Sequence, residues 1–239
     1  MAGKISTGSK YLDLWLEGGY DMDTITTIYG PPGTGKTNLC ILAAVNQAIS
    51  GNKVIYIDTE GSFSSDRLRQ IAGSTDIMRN ILLLRATTFW EQREVFNRLL
   101  QEIRKPVSLI IVDSISMLYR LELGFANQKS KEKALSINRA LGRQLRILTE
   151  ISRKKNIPVL VTNQVYSDFT RDTAGTQAVK KIHMVGGDIL KYWSKCLIEL
   201  QKEDRKRRAI IIKHRSLPEK EIYFTITNDG VAKPGLRFW

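Results

Sequence analysis

Apolar and polar positions along this chain switch repeatedly between a period near two and a period near 3.6. Lys10 to Glu17 carries a short amphipathic helical pattern ended by Gly18-Gly19. The β-branched run from Thr24 to Tyr29 reads as a buried strand entering a glycine-rich turn. From Lys36 to about Ser50, Leu39, Leu42, Ala43 and Ile49 recur at helical spacing, and Gly51-Asn52 supplies a stop. Val54 to Ile57 predicts a strand, Asp66 to Ala72 a short helix, Ile81 to Leu84 a strand and Phe89 to Arg104 a helix. Val107 to Val112 is a wholly apolar strand. Lys131 to Lys155 is a long helix with Leu141, Leu145 and Leu148 on one stripe, and Pro158 to Thr162 is the next strand. Strands alternating with helices predict an α/β fold, a mostly parallel central sheet covered by helices on both faces.

The last third changes character. Cys196 to Leu200, Ala209 to Lys213 and Ile222 to Thr227 are closely spaced strands with no helix between them, which predicts antiparallel strands added to one edge of the sheet. Tyr119 to Ser130 has no assigned element, and Val165 to about Gly187 reads as a long irregular loop, of the kind that is functional or disordered in compact domains. With no repeat, low-complexity segment or linker, residues 1–239 are expected to form a single domain.

Composition adds two constraints. No apolar stretch is long enough to cross a bilayer and no signal peptide opens the chain, so a cytoplasmic protein without a membrane partner is expected. Cys40 and Cys196 lie far apart, and His183 and His214 are the only other soft ligands. That is too few for a zinc site, so both thiols are expected as small buried hydrophobes. Lys and Arg number 37 against 24 acids, a net charge of +13, which points to a polyanionic partner, with a basic surface kept for solubility as the alternative.

The chemistry is carried by Gly30-Pro31-Pro32-Gly33-Thr34-Gly35-Lys36-Thr37, a match to G-x-x-x-x-G-K-[ST] set between a predicted strand and a predicted helix. Glycines let the backbone turn its N–H groups toward phosphates, and the helix offers its positive end. Lys36 is expected on the β- and γ-phosphates of ATP and the Thr37 hydroxyl on Mg²⁺. Leu109-Ile110-Ile111-Val112-Asp113 is an apolar strand ending in a carboxylate, where Asp113 would hold Mg²⁺ through water or else be a plain strand end. Glu60, after Ile57-Asp58-Thr59, is the candidate general base for the attacking water, or else a surface carboxylate in a turn. Gln164, after Thr162-Asn163, ends a strand at the root of the long loop, placed to sense the γ-phosphate.

Ser6-Thr7-Gly8-Ser9-Lys10, Leu12-Asp13, Gly18-Gly19, the glycine loop, Asp58-Thr59-Glu60-Gly61-Ser62-Phe63, Asp113-Ser114 and Asn163-Gln164-Val165 occur in an order that resembles the RecA-type recombinase core of archaea and eukaryotes. Within that family, the short chain and Lys213-His214-Arg215 resemble a paralogue of the recombinase RadA. The resemblance covers essentially the whole chain. It implies a Mg²⁺-dependent ATPase with Glu60 activating water and Gln164 sensing phosphate. It makes Tyr119 to Ser130 and Val165 to Gly187 DNA-facing loops, and gives Lys213 and Arg215 to the phosphates of a neighbouring subunit. The departures are a missing N-terminal helical DNA-binding domain and linker, no Phe-x-x-Ala docking sequence after any of the seven Phe, and Ser64-Ser65 where RadA-like proteins have Arg-Pro near the adenine.

For DNA, single-stranded or branched and without sequence preference, the long loop offers Tyr166, Phe169, Arg171, Lys180, Lys181 and His183, cations interleaved with aromatics. Lys202 and Arg205-Lys206-Arg207-Arg208 form a second basic cluster at an expected hairpin tip, with Arg205 and Arg207 as contacts. Both stretches also read as ordinary solvated turns. The expectation as a whole is an ATP- and DNA-binding accessory protein of homologous recombination and repair. It would be a weak, DNA-independent ATPase that assists a RadA-type recombinase, with a homodimer as a further possibility. The alternatives are a strand-exchange recombinase, a non-hydrolysing ATP-dependent adaptor and a clock-type relative of the same core.

Overall fold

The computed structural model of the chain describes residues 3–103, 106–127, 130–171, 178–204 and 206–235. Strands β1 (Lys4–Ile5) and β2 (Tyr20–Asp21) form a small antiparallel pair around helix α1 (Lys10–Trp15). There follow β3 (Ile25–Tyr29), α2 (Lys36–Ile49), β4 (Lys53–Asp58), α3 (Ser65–Ala72), a 3₁₀ turn at Asp76–Asn80, β5 (Ile81–Arg85), α4 (Phe89–Glu102) and β6 (Val107–Asp113). Next come α5 (Met117–Asn127), α6 (Lys131–Lys155), β7 (Val159–Asn163), β8 (Val165–Arg171), β9 (Ala178–Met184) and α7 (Gly187–Trp193). The chain closes on β10 (Cys196–Glu203), β11 (Lys206–Lys213), β12 (Glu221–Thr227) and β13 (Gly230–Ala232).

Among the described residues, nine strands make the central sheet in the order β13-β12-β11-β10-β3-β7-β6-β4-β5. From β10 to β5 every neighbouring pair is parallel, and β11, β12 and β13 extend it antiparallel, as the pattern predicts. The inner parallel strands β3, β7, β6 and β4 are buried along most of their length because both faces are covered. In β6, Ile110 and Val112 join the core under α4 to α7, while Leu109 and Ile111 join the core under α1 to α3. The predicted stripe of α6 is buried at Leu141, Leu145 and Leu148, between a Ser130 N-cap and an Asn156 C-cap at φ 53°. Cys40 and Cys196 are both buried, and burial pushes the Cys196 thiol up to about 12, so they act as small hydrophobes.

Three expectations are corrected. Val165 to Gly187 is not an irregular loop: its described part is a β8–β9 hairpin with Val165 opposite Met184 and Tyr166 opposite His183, followed by α7. Among the described residues the hairpin pairs only with itself, outside the main sheet, and its strands carry no continuous apolar run to reveal them. Tyr119 to Ser130 lies largely on helix α5 rather than in a loop. Tyr119 is buried and donates to Asn138 Oδ1 at 2.7 Å, whereas Leu121 and Phe125 are exposed, and apolar residues on both sides blur the helical period. Ile49, placed on the apolar stripe of α2, is exposed in its last turn.

Candidate functional site

The phosphate loop follows β3 at the carboxyl edge of the parallel strands, between β10 and β7. Gly30 is required there by contact: a Cβ on it would lie 2.2 Å from the Leu200 carbonyl oxygen. Gly35 ends the loop at φ 104° and caps α2. The loop is curled around Lys36, whose Nζ donates to the Gly30 and Pro31 carbonyls at 2.8 and 3.0 Å. Burial holds the Lys36 ammonium below its ordinary pKa, and the carboxylates of Glu60 and Asp113 oppose that shift. Thr34 Oγ1 donates to the Pro31 carbonyl at 2.8 Å and closes the turn.

Asp113 ends β6, 1% exposed, as the acceptor of three hydroxyls: Tyr56 at 2.9 Å, Ser62 at 3.2 Å and Thr162 at 2.5 Å. Ser62 Oγ also lies 3.5 Å from Thr37 Oγ1, so it links the two residues expected around Mg²⁺. These are hard oxygen donors, Asp113 buried and Thr37 half-buried, which fits a magnesium ion held by the Thr37 hydroxyl and, through water, by Asp113. Tyr56 lies on β4, Ser62 in the turn after it and Thr162 on β7, and nothing local in the sequence singles out their hydroxyls.

Glu60 and Gln164 are brought together across 104 residues: Gln164 Nε2 donates to Glu60 Oε1 at 2.9 Å. The Gln164 main chain is pinned on both sides, its N–H donating to Ser116 Oγ at 3.3 Å and its carbonyl accepting from Val185 N–H at 3.1 Å. Gln164 therefore joins the candidate base to the root of the β8–β9 hairpin. The loop, Glu60, Gln164, Arg120 of α5, Arg207 and Ile226 line one cleft of about 630 Å³.

The predicted DNA contacts divide. On the hairpin, His183 is exposed and stacks on its cross-strand partner Tyr166, with ring centroids 5.5 Å apart and planes at 27°. Arg171, Lys180 and Lys181 stand on the same two strands. Arg205 lies outside the described residues. Arg207 stands beside the tip of the β10–β11 hairpin, where Lys202 pairs with Arg207 and Glu203 with Lys206, and it also lines the phosphate-loop cleft. Lys213 and Arg215 are engaged within the chain. Lys213 Nζ donates to the Lys191 and Ser194 carbonyls at 2.7 and 2.8 Å, while Arg215 reaches Asp21 at 2.9 Å and Asp23 at 2.8 Å. A role across a subunit boundary would require both to leave these partners.

Arg67, which the sequence reading passed over, donates to Asn38 Oδ1 at 2.8 Å and to the Thr227 and Gly230 carbonyls at 2.7 and 3.3 Å. It ties α2, α3 and the β12–β13 turn together. Ser64 is the N-cap of α3 and accepts from Arg67 N–H at 3.1 Å.

Residues 2–234 match the sequence profile of the Rad51 family. The protein named "DNA repair and recombination protein RadB" of Methanobrevibacter smithii is 40% identical over 236 residues, covering 95% of each chain. Those with the same name in Methanococcus maripaludis and Methanocaldococcus jannaschii are 40% and 39% identical, over 92% and 90% of this chain and 96% of their own. The chain belongs to the Rad51 family, on its RadB branch. In this Rad51-family core the phosphate loop, Asp113, Glu60 and Gln164 occupy one carboxyl edge of one sheet. Among the described residues no helix is long and apolar enough to cross a membrane.

Proposed function

We propose that the protein is an ATP- and DNA-binding accessory factor of homologous recombination and DNA repair, a slow Mg²⁺-dependent ATPase that assists a RadA-type recombinase. The loop from Gly30 to Thr37 holds the triphosphate, with Lys36 on its outer phosphates. Magnesium, when bound at Thr37 and Asp113, draws charge from the phosphate oxygens. Glu60 orients and deprotonates the attacking water. Arg171, Lys180, Lys181 and His183 track a DNA backbone along the hairpin, with Tyr166 offering a stacking face.

The observation that carries this reading is the hydrogen bond from Gln164 to Glu60, made by a residue whose own carbonyl holds the hairpin root. A change at the γ-phosphate therefore reaches the DNA-facing element through one residue. Fluorescence anisotropy with a labelled single strand tests it. Affinity should differ between ATP- and ADP-loaded protein and, if about six phosphates are neutralised, should fall by orders of magnitude between 50 and 200 mM salt. Gln164→Ala should erase the nucleotide dependence while keeping the salt slope. Binding that ignores both nucleotide and salt would sink the proposal.

A further inference from the structure

The cleft has two walls, and they come from opposite sides of β3. To one side lie β7, β6 and β4, bringing Gln164, Asp113 and Glu60; to the other lie β10, β11 and β12, bringing Arg207 and Ile226. Arg207 is turned inward by register. Ala209 and Ile211, two and four positions on, belong to the core beneath α2, so the period of two puts Arg207 on their face. Arg208 faces the other way, where Glu221 and Glu203 pair with it. Arg207 has no such partner: among the described residues it forms no ion pair, and its Nε is buried without a hydrogen bond.

Its stem rests on the first turn of α2. A methyl built on Gly35 would lie 3.5 Å from Arg207 Cδ, 3.6 Å from its Nε and 2.9 Å from Ile226 Cδ1. A guanidinium at the amino end of a 14-residue helix meets the positive end of the helix dipole, and Lys36 adds a second cation there. Both effects disfavour the arrangement unless an anion shares the space.

We propose that Arg207 is a nucleotide-binding residue supplied in cis by the antiparallel extension, donating to the phosphate nearest the nucleoside, with Ile226 as the apolar flank. Lys36, Thr37 and Asp113 serve the outer phosphates, and Arg207 approaches from the side opposite Glu60 and Gln164. That inner phosphate is common to ATP and ADP, so Arg207 serves both. The inference rests on the reading of the loop as a nucleotide site.

Calorimetry with magnesium and ATP or ADP on the full chain and its Arg207→Gln and Arg207→Lys variants tests it. Arg207→Gln should lose about tenfold to a hundredfold in affinity for both nucleotides, as expected for a lost charge-assisted hydrogen bond, and Arg207→Lys should recover part. In turnover assays the loss should fall on KM rather than on kcat. Without nucleotide, Arg207→Gln should melt no lower than the parent protein, since a repelled cation has been removed. Equal affinity in parent and variant overturns the inference, as does a loss confined to ATP, a lower melting temperature, or a fall in DNA affinity measured without nucleotide. If the parent chain binds neither nucleotide, the ATP reading itself fails; if it binds and Arg207→Gln binds equally, only this inference does.

Discussion

The two edges of the central sheet treat their arginines in opposite ways. At the carboxyl edge, Lys36 is bonded to the carbonyls of its own loop, and the Arg207 Nε lies buried and unbonded over the amino end of α2. At the amino edge, Lys213 donates to the last carbonyls of α7, the favourable end of a helix for a cation, and Arg215 is shared between Asp21 and Asp23. The same residue types therefore do different work. A buried guanidinium nitrogen left without a partner, that of Arg207, marks a place that takes an anion from outside, while Lys213 and Arg215, matched to carbonyls and carboxylates, hold the fold together. If that contrast is right, substitutions at the carboxyl edge should change ligand affinity and turnover with little effect on stability. Substitutions at the amino edge should do the reverse.

Glu60→Gln should show the largest effect. It keeps an amide in place of the carboxylate and so removes the base without removing bulk, and turnover should fall by about 10²- to 10⁴-fold while ATP affinity stays within a few-fold. Single-turnover hydrolysis beside equilibrium ATP binding separates the two quantities. Lys36→Ala comes next, with a loss of about a hundredfold in ATP affinity measured by calorimetry, and a melting temperature without nucleotide close to that of the parent. A Lys36→Ala protein that melts far lower would mean that the loop's internal bonds to Lys36 hold the fold, and the contrast between the edges would fail.

Most of the carboxyl edge was legible because it is local: a β-branched run, a turn rich in glycine, then a helical period identify the loop, and Asp113, Glu60 and Gln164 each end a strand-like run. What was illegible depends on register or on contacts between distant segments. In Arg205-Lys206-Arg207-Arg208 nothing local tells which cation faces α2. Only the pairing of β11 with β10 and β12 puts Arg207 in the cleft and Arg208 beside Glu221. Asp113 gathers hydroxyls from Tyr56 and Ser62, on and just after β4, and from Thr162 of β7, which meet it only in the folded sheet. The engagement of Arg215 with Asp21 joins residues 194 positions apart.

Arg215→Ala tests the amino edge from the other direction. Asp21 is 4% exposed and would lose its 2.9 Å guanidinium partner, while Lys4 at 3.5 Å and His214 at 3.3 Å remain. With those two still present, the expected cost is about 1–2 kcal/mol of stability by urea denaturation, with ATP affinity unchanged. A loss of ATP turnover without any loss of stability would instead place Arg215 on a neighbouring subunit's phosphates.

The smallest expected effect is a pH dependence at the same edge. His214 has a side chain only 2% exposed, and its Nδ1 accepts from the Ser216 and Leu217 N–H groups at 3.1 Å each, while Nε2 faces Asp21 at 3.3 Å. A second proton would have to enter at Nδ1, against two N–H donors. Burial lowers the His214 pKa from its usual 6.5, Asp21 opposes the shift, and Lys4, Arg215 and Lys220 add to it. The unfolded chain therefore takes up the proton first. Stability should be full above about pH 6.5, decline as the pH falls below it, and level off once the folded imidazole is also protonated. Carboxylates titrate mainly below about pH 5, so melting temperatures between pH 8 and 5 isolate this contribution. His214→Gln should flatten the curve across that window even if it lowers the whole of it. A curve that keeps its slope in His214→Gln would show that His214 is not the group responsible, and that the amino edge is not held together in the way its hydrogen bonds indicate.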